Sequence, residues 1–193
     1  MFSKKSIDPV YFRRCGSGNT TETLKLALKS VADLQIKHLV IASTTGKTAL
    51  KMLSLLPPGL KLVCVAHQSG FTQPGKNEFS IFAERKLAAA GIPVLKTTHL
   101  FAGVNRALRR KFGGITPAEI IASTYRTFGE GVKVAVEISV MALDAGLIPY
   151  GKDIISIGGT NRGADTAIVI RPAYSHRFFD TRIKQIICKP LSF

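Results

Sequence analysis

Apolar positions fall into two patterns that take turns along the chain: short, nearly unbroken runs, and residues that repeat every three or four positions. The first describes a strand buried on both faces, the second a helix with one face on a core. Leu24, Ala27, Leu28 and Val31 recur at helical spacing and predict a helix over Thr20–Leu34, with Asn19 as its cap and Glu22 as the reciprocal partner. Lys37–Ala42 reads as a strand, Gly46–Leu56 as a helix stopped by Pro57-Pro58-Gly59, and Lys61–Ala66 as a second buried strand. A long turn over His67–Asn77 leads to a helix over Glu78–Ala90 that ends at Gly91, and then to a short strand at Pro93–Lys96. Thr116-Pro117-Ala118-Glu119 is the clearest helix start, with a threonine cap, proline in the first turn and a glutamate to close the box. Helices over Pro117–Phe128 and Val132–Ala145 follow, then strands at Asp153–Ile157 and Thr166–Ile170; the tail Lys184–Cys188 adds an edge strand.

The first four strands are separated by helices and so pair in parallel. Only eight residues, Gly158–Asp165, join the last two, too few for a crossover, so Thr166–Ile170 must run antiparallel to its predecessor. The pattern therefore predicts an α/β fold: a three-layer α/β/α sandwich on a mostly parallel sheet of about five strands, with the last core strand antiparallel. No repeat, low-complexity tract or linker interrupts residues 1–193, which read as a single domain.

Composition narrows the partners. The net charge is +15, from 27 Lys and Arg against 12 Asp and Glu, and no acidic residue lies between Asp33 and Glu78 or between Glu84 and Glu119. Such a balance attracts phosphates without distinguishing a nucleotide from a nucleic acid. Three cysteines, Cys15, Cys64 and Cys188, stand far apart in sequence and fit neither a disulfide framework nor a zinc site, and His38, His99 and His176 lack metal-ligand spacing. No apolar run approaches the ~20 residues of a bilayer span, and no apolar stretch follows Lys4 and Lys5, so the expectation is a cytoplasmic protein that neither enters a membrane nor is exported. Self-association is left open.

Three segments are placed for chemistry. Ser43-Thr44-Thr45-Gly46-Lys47-Thr48 joins a parallel strand to a helix, where unpaired N–H groups, the helix dipole and hydroxyls suit a phosphate. A single helix cap would use one of these hydroxyls; the loop offers several. Gly46-Lys47-Thr48 resembles the end of a P-loop, but Ile41 stands where that motif needs glycine, and no magnesium-binding aspartate is evident. Gly158-Gly159-Thr160-Asn161-Arg162-Gly163-Ala164-Asp165-Thr166 combines glycines with donors and acceptors, and reads equally well as a hairpin turn with solvated tips. His67, Gln68, Gly70 and Phe71 follow the second strand on the same sheet edge, where Phe71 can stack on a planar ring and Gln68 or Asn77 can bond its rim; a core phenylalanine is the plain alternative. Glu137 and Met141 lie a turn apart on the last helix, ordinary helix residues unless they line a pocket floor. Arg106, Arg109, Arg110 and Lys111 form a basic cluster on a short helix, which offers a weaker, nucleic-acid reading. No catalytic constellation is readable.

The 43–49 and 158–166 segments resemble the C-terminal domain of pyruvate kinase, whose first loop holds an effector phosphate and whose second belongs to the same pocket. Over about Cys15–Pro190 the chain is similar to a family of small stand-alone prokaryotic proteins with that domain's fold. The likeness rests on Asn19-Thr20, His67–Phe71 with Pro74-Gly75-Lys76-Asn77, Val136-Glu137-Ile138, and Gly163–Thr166 through Ile170-Arg171-Pro172. Members of that family look like flavin mononucleotide (FMN) binders. The resemblance thus implies a phosphorylated small molecule, FMN, with its phosphate on Ser43–Thr48 and its ring between the 67–77 and 158–166 loops. Pyruvate kinase activity is not implied, since no catalytic barrel accompanies the domain. A metabolite-sensing regulatory module is the alternative that the same loop would serve.

Overall fold

The computed structural model describes residues 8–192; the Lys4 and Lys5 stretch lies outside them. In chain order the elements are β1 (Val10–Arg14), α1 (Thr20–Leu34), β2 (His38–Ala42), α2 (Lys47–Leu53), β3 (Lys61–Ala66), α3 (Ile81–Ala89), β4 (Val94–Lys96), α4 (Val104–Phe112), α5 (Pro117–Arg126), α6 (Glu130–Asp144), β5 (Ile154–Gly158), β6 (Thr166–Arg171) and β7 (Arg182–Ser192). The strands form one sheet in the order β1-β7-β6-β5-β2-β3-β4. β2 pairs in parallel with β3 and β5, and β3 with β4, whereas β6 runs antiparallel to β5, with Gly158 opposite Thr166 and Ile154 opposite Ile170. The antiparallel return expected from the short connection is therefore present.

Alternation along the strands divides the core. Leu39, Ile41, Leu62, Cys64, Ile155 and Ile157 face one side, under Leu24, Ala27 and Val31 of α1, Met52 of α2, and Ala83 and Leu87 of α3. Val40, Val63, Val65, Ile154, Ile168 and Ile170 face the other, under Ala135, Val136, Ile138, Met141 and Ala142 of α6. These are the three layers the sequence predicts.

Two expectations change. The sheet has seven strands, not about five, because residues 10–14 form an edge strand and the tail forms a long strand, β7, set between β1 and β6 and not at the edge. Asn19 does not cap α1 with its side chain: a 3-10 turn over Ser17–Asn19 precedes the helix, and the Asn19 amide donates instead to the Arg14 carbonyl at 2.7 Å. By contrast Glu119 does close on Thr116, accepting from its backbone N–H at 3.1 Å and starting α5 where the sequence places it.

Candidate functional site

The carboxyl ends of β2, β3 and β5 lie side by side because β2 sits between the other two in parallel. The loops that follow them share one edge, the edge where open α/β sheets hold ligands. Helix α6 leads into β5 and starts at the same edge; a Cβ on Gly158 would stand 2.3 Å from the Gly131 carbonyl, so only glycine lets that first turn approach the strand end.

A crevice of about 570 Å³ opens between these loops, within the ~300–1,000 Å³ usual for small-molecule sites. Ser43, Thr44, Thr45 and Thr48 line it from one side, Gly159, Asn161, Arg162 and Gly163 from another, with His67, Phe71 and Val134 between them. An inner lobe of about 330 Å³ shares Ser43, Thr44, His67, Phe71 and Val134, and continues to His99, Arg106, Lys133 and Glu137. Lys47, Lys51 and Arg162 bring positive charge to the crevice, and among the described residues no carboxylate pairs with them. Glu78, which also lines it, meets His67 Nδ1 at 3.2 Å. An anion entering here meets cations and hydroxyls that are not already neutralised.

The 43–48 loop is held from beneath. Ser43 N–H continues the sheet by donating to the Val65 carbonyl at 3.0 Å, and the Thr45 carbonyl accepts from Ser80 N–H at 3.3 Å. Gly46 adopts φ +89°, and a Cβ there would lie 2.3 Å from the Ala83 Cβ and 3.2 Å from the Phe79 ring. Its freedom is needed for the turn and for the approach of α3; it does not line the crevice.

The 67–77 loop is tied by Asn77. Its amide donates to the His67 carbonyl at 3.1 Å and to Ser69 Oγ at 3.3 Å, and its carbonyl accepts from Phe79 N–H at 2.9 Å. Asn77 is thus a brace beneath the loop. The His67, Phe71 and His99 rings gather with centroids 4.2 to 5.6 Å apart, while Gln68 and Gly70 line a separate groove on the outer side of Phe71. Burial lowers the pKa of His99, with Lys133 and Arg106 acting in the same direction against Glu137.

The 158–166 loop divides. Gly159, Arg162 and Gly163 line the crevice. Asp165 is fully buried, and its carboxylate accepts from Gly16 N–H at 2.9 Å, Thr160 N–H at 3.1 Å and Thr166 Oγ at 2.8 Å. Ala164 is equally enclosed, its N–H donating to Thr20 Oγ at 3.0 Å. Asp165 and Thr166 therefore fasten the loop to the segment before α1 and do not face the crevice, contrary to the expectation that Asp165 reaches the ligand. On α6, Glu137 does reach the inner lobe, where it pairs with Lys133 and accepts from Phe101 N–H at 2.9 Å. Met141, one turn on, is core.

Lys47 and Asn161 stand in the sequence reading as members of their loops, whereas Lys51, Val134 and Lys133 have no role there. The order helix-then-strand at α6 and β5 carries the signal for the last two, since a helix that leads into a parallel strand begins at that strand's carboxyl edge. Among the described residues no group of His, Cys, Asp and Glu is placed to hold a metal, and no helix is long and apolar enough to cross a membrane. Cys64 is an enclosed strand thiol whose pKa burial pushes up to about 12.

Residues 21–170 match the sequence model of the pyruvate kinase alpha/beta domain. Among solved structures, Cryptosporidium parvum pyruvate kinase in complex with ADP is similar at a TM-score of 0.39 and 14% identity, over 86% of this chain and 23% of that one. The chain thus spans under a quarter of that enzyme's length.

Proposed function

The chain belongs to the family of the pyruvate kinase alpha/beta domain, and from that premise we propose that its crevice binds a phosphorylated small molecule, with FMN as the ligand. The observation that carries this reading is the meeting of three strand-end loops in one crevice: hydroxyls and cations with no carboxylate partner among the described residues at Ser43–Thr48, Lys51 and Arg162, and an aromatic and apolar stretch at His67, Phe71 and Val134. A phosphate suits the first part, where each charge-assisted hydrogen bond contributes about 1.5–3 kcal/mol. A flat ring suits the second, with the inner lobe beside it for the ring's polar rim. The resemblance of Asn19-Thr20, His67–Phe71 with Pro74–Asn77, and Gly163–Thr166 to a family whose members look like FMN binders supports the same assignment.

Thermal-shift titration of the purified protein tests it. FMN should raise the melting temperature and bind with flavin absorbance at one equivalent. Stabilisation by sugar phosphates alone would move the assignment to a metabolite-sensing module using the same crevice, and no response to any phosphorylated compound would remove the site altogether.

A further inference from the structure

On the outer side of Phe71, away from the crevice, a groove of about 490 Å³ runs between the 68–71 loop and α4. We propose that this groove is a second ligand site, and that it takes a pyrophosphate group, either as the free ion or as the diphosphate of a nucleotide.

Helix α4 supplies the argument. Arg106 and Arg110 stand one turn apart, and Lys111 beside Arg110, so all three line the groove. No acidic residue lines it, and among the described residues none of these cations is in an ion pair. The neighbouring Arg109 is different: Glu119 holds its guanidinium at 2.9 Å, which anchors the helix to α5. Three uncompensated cations facing one recess repel each other unless an anion of more than one charge lies between them, and two guanidinium forks match phosphate oxygens bidentately. Gln68 and His99 add hydrogen-bonding groups to the lining.

The charge is confined to the groove. The next row of α4, Val104, Leu108 and Phe112, is exposed and apolar, so the helix does not present the broad basic stripe that tracks a nucleic-acid backbone. Phe71 and His99 line both the groove and the inner lobe, and the Arg106 guanidinium lies 5.4 Å from the Phe71 centroid. Arg106 lines the groove and the inner lobe, whereas Arg110 and Lys111 line the groove and neither part of the crevice. The second site therefore stands whatever occupies the first.

Isothermal titration with inorganic pyrophosphate tests it in the full chain, using the wild type, the Arg110→Gln/Lys111→Gln variant and a Lys47→Gln/Lys51→Gln variant of the crevice. The expected result is a binding event weakened about tenfold or more in the α4 variant and retained in the crevice variant, with unchanged melting temperatures because neither α4 side chain is buried. A nucleoside diphosphate competing for that event more tightly than pyrophosphate would identify the nucleotide as the source, and weaker competition the free ion; either supports the site. Pyrophosphate binding that is unaffected by the α4 substitutions, or abolished by the crevice substitutions, overturns it. So does salt-sensitive binding of duplex DNA that depends on Arg110 and Lys111 with no pyrophosphate binding.

Discussion

The loops at 43–48 and 158–166 are alike in composition and sit side by side at the ends of neighbouring parallel strands, yet they turn their polar groups in opposite directions. The first lines the crevice with its hydroxyls and packs its glycine against α3. The second buries its aspartate and last threonine as a clasp on the Gly16 segment and leaves Arg162, with Asn161, at the crevice. The difference follows from what each loop must hold. Loop 43–48 is covered from beneath by α3, and Ser43 Oγ accepts from Ala49 N–H at 3.5 Å where the loop enters α2. Loop 158–166 returns to an antiparallel strand and must also receive the chain arriving from β1, so its acceptors are consumed by backbone N–H groups.

The comparison breaks most readily at Asp165. Asp165→Ala leaves the half-buried N–H groups of Gly16 and Thr160 and the buried Thr166 hydroxyl without their acceptor, and a loss of about 2–4 kcal/mol in unfolding free energy is expected, whereas Arg162→Ala should cost little stability and weaken the phosphorylated ligand. Chemical denaturation of both, without ligand, checks this; equal melting of the two would erase the distinction between clasp and hand. Within the first loop a similar split is expected. Gly46→Val should lose about 2–4 kcal/mol through its positive φ and the clash with Ala83. Thr44→Val should fold normally while binding about tenfold more weakly.

A smaller effect concerns pH. The folded protein lowers the pKa of His99 beneath its ordinary 6.5, chiefly by burial. The unfolded chain therefore takes up this proton first as pH falls, and stability is full above 6.5 and declines below it. Melting curves at pH 7.5 and 5 should show that decline, and His99→Gln should reduce it. The smallest change is chemical: burial raises Cys64 to about 12 and Cys188 to about 11, while Cys15 is exposed, so a thiol reagent near neutral pH should modify one cysteine in the native protein and three after denaturation.

How far the sequence could be read follows the same physics. The strands β2, β3, β5 and β6 are legible because both faces are buried and leave apolar runs; β1 is not, since Val10–Arg14 at the sheet edge keeps Tyr11, Arg13 and Arg14 in solvent. The sequence pattern shortens the tail strand and puts it at the edge because its first half is largely exposed. Loop 43–48 was readable as a site from its hydroxyls after a strand. Lys133 was not, because a lysine in a helix looks solvated until α6 is seen to bury it against Glu137. Asp165 shows the limit from the other side: a polar residue among glycines does not reveal whether it points outward or fastens the chain.

The most direct test of the account is a pair of calorimetric titrations, FMN and riboflavin into the wild type and into Arg162→Ala. These ligands differ only in the phosphate, so a crevice that places phosphate among Ser43–Thr48, Lys51 and Arg162 should bind FMN at least about a hundredfold more tightly than riboflavin, and Arg162→Ala should narrow that gap. Equal affinity for the two flavins, or no binding of FMN at all, would contradict it.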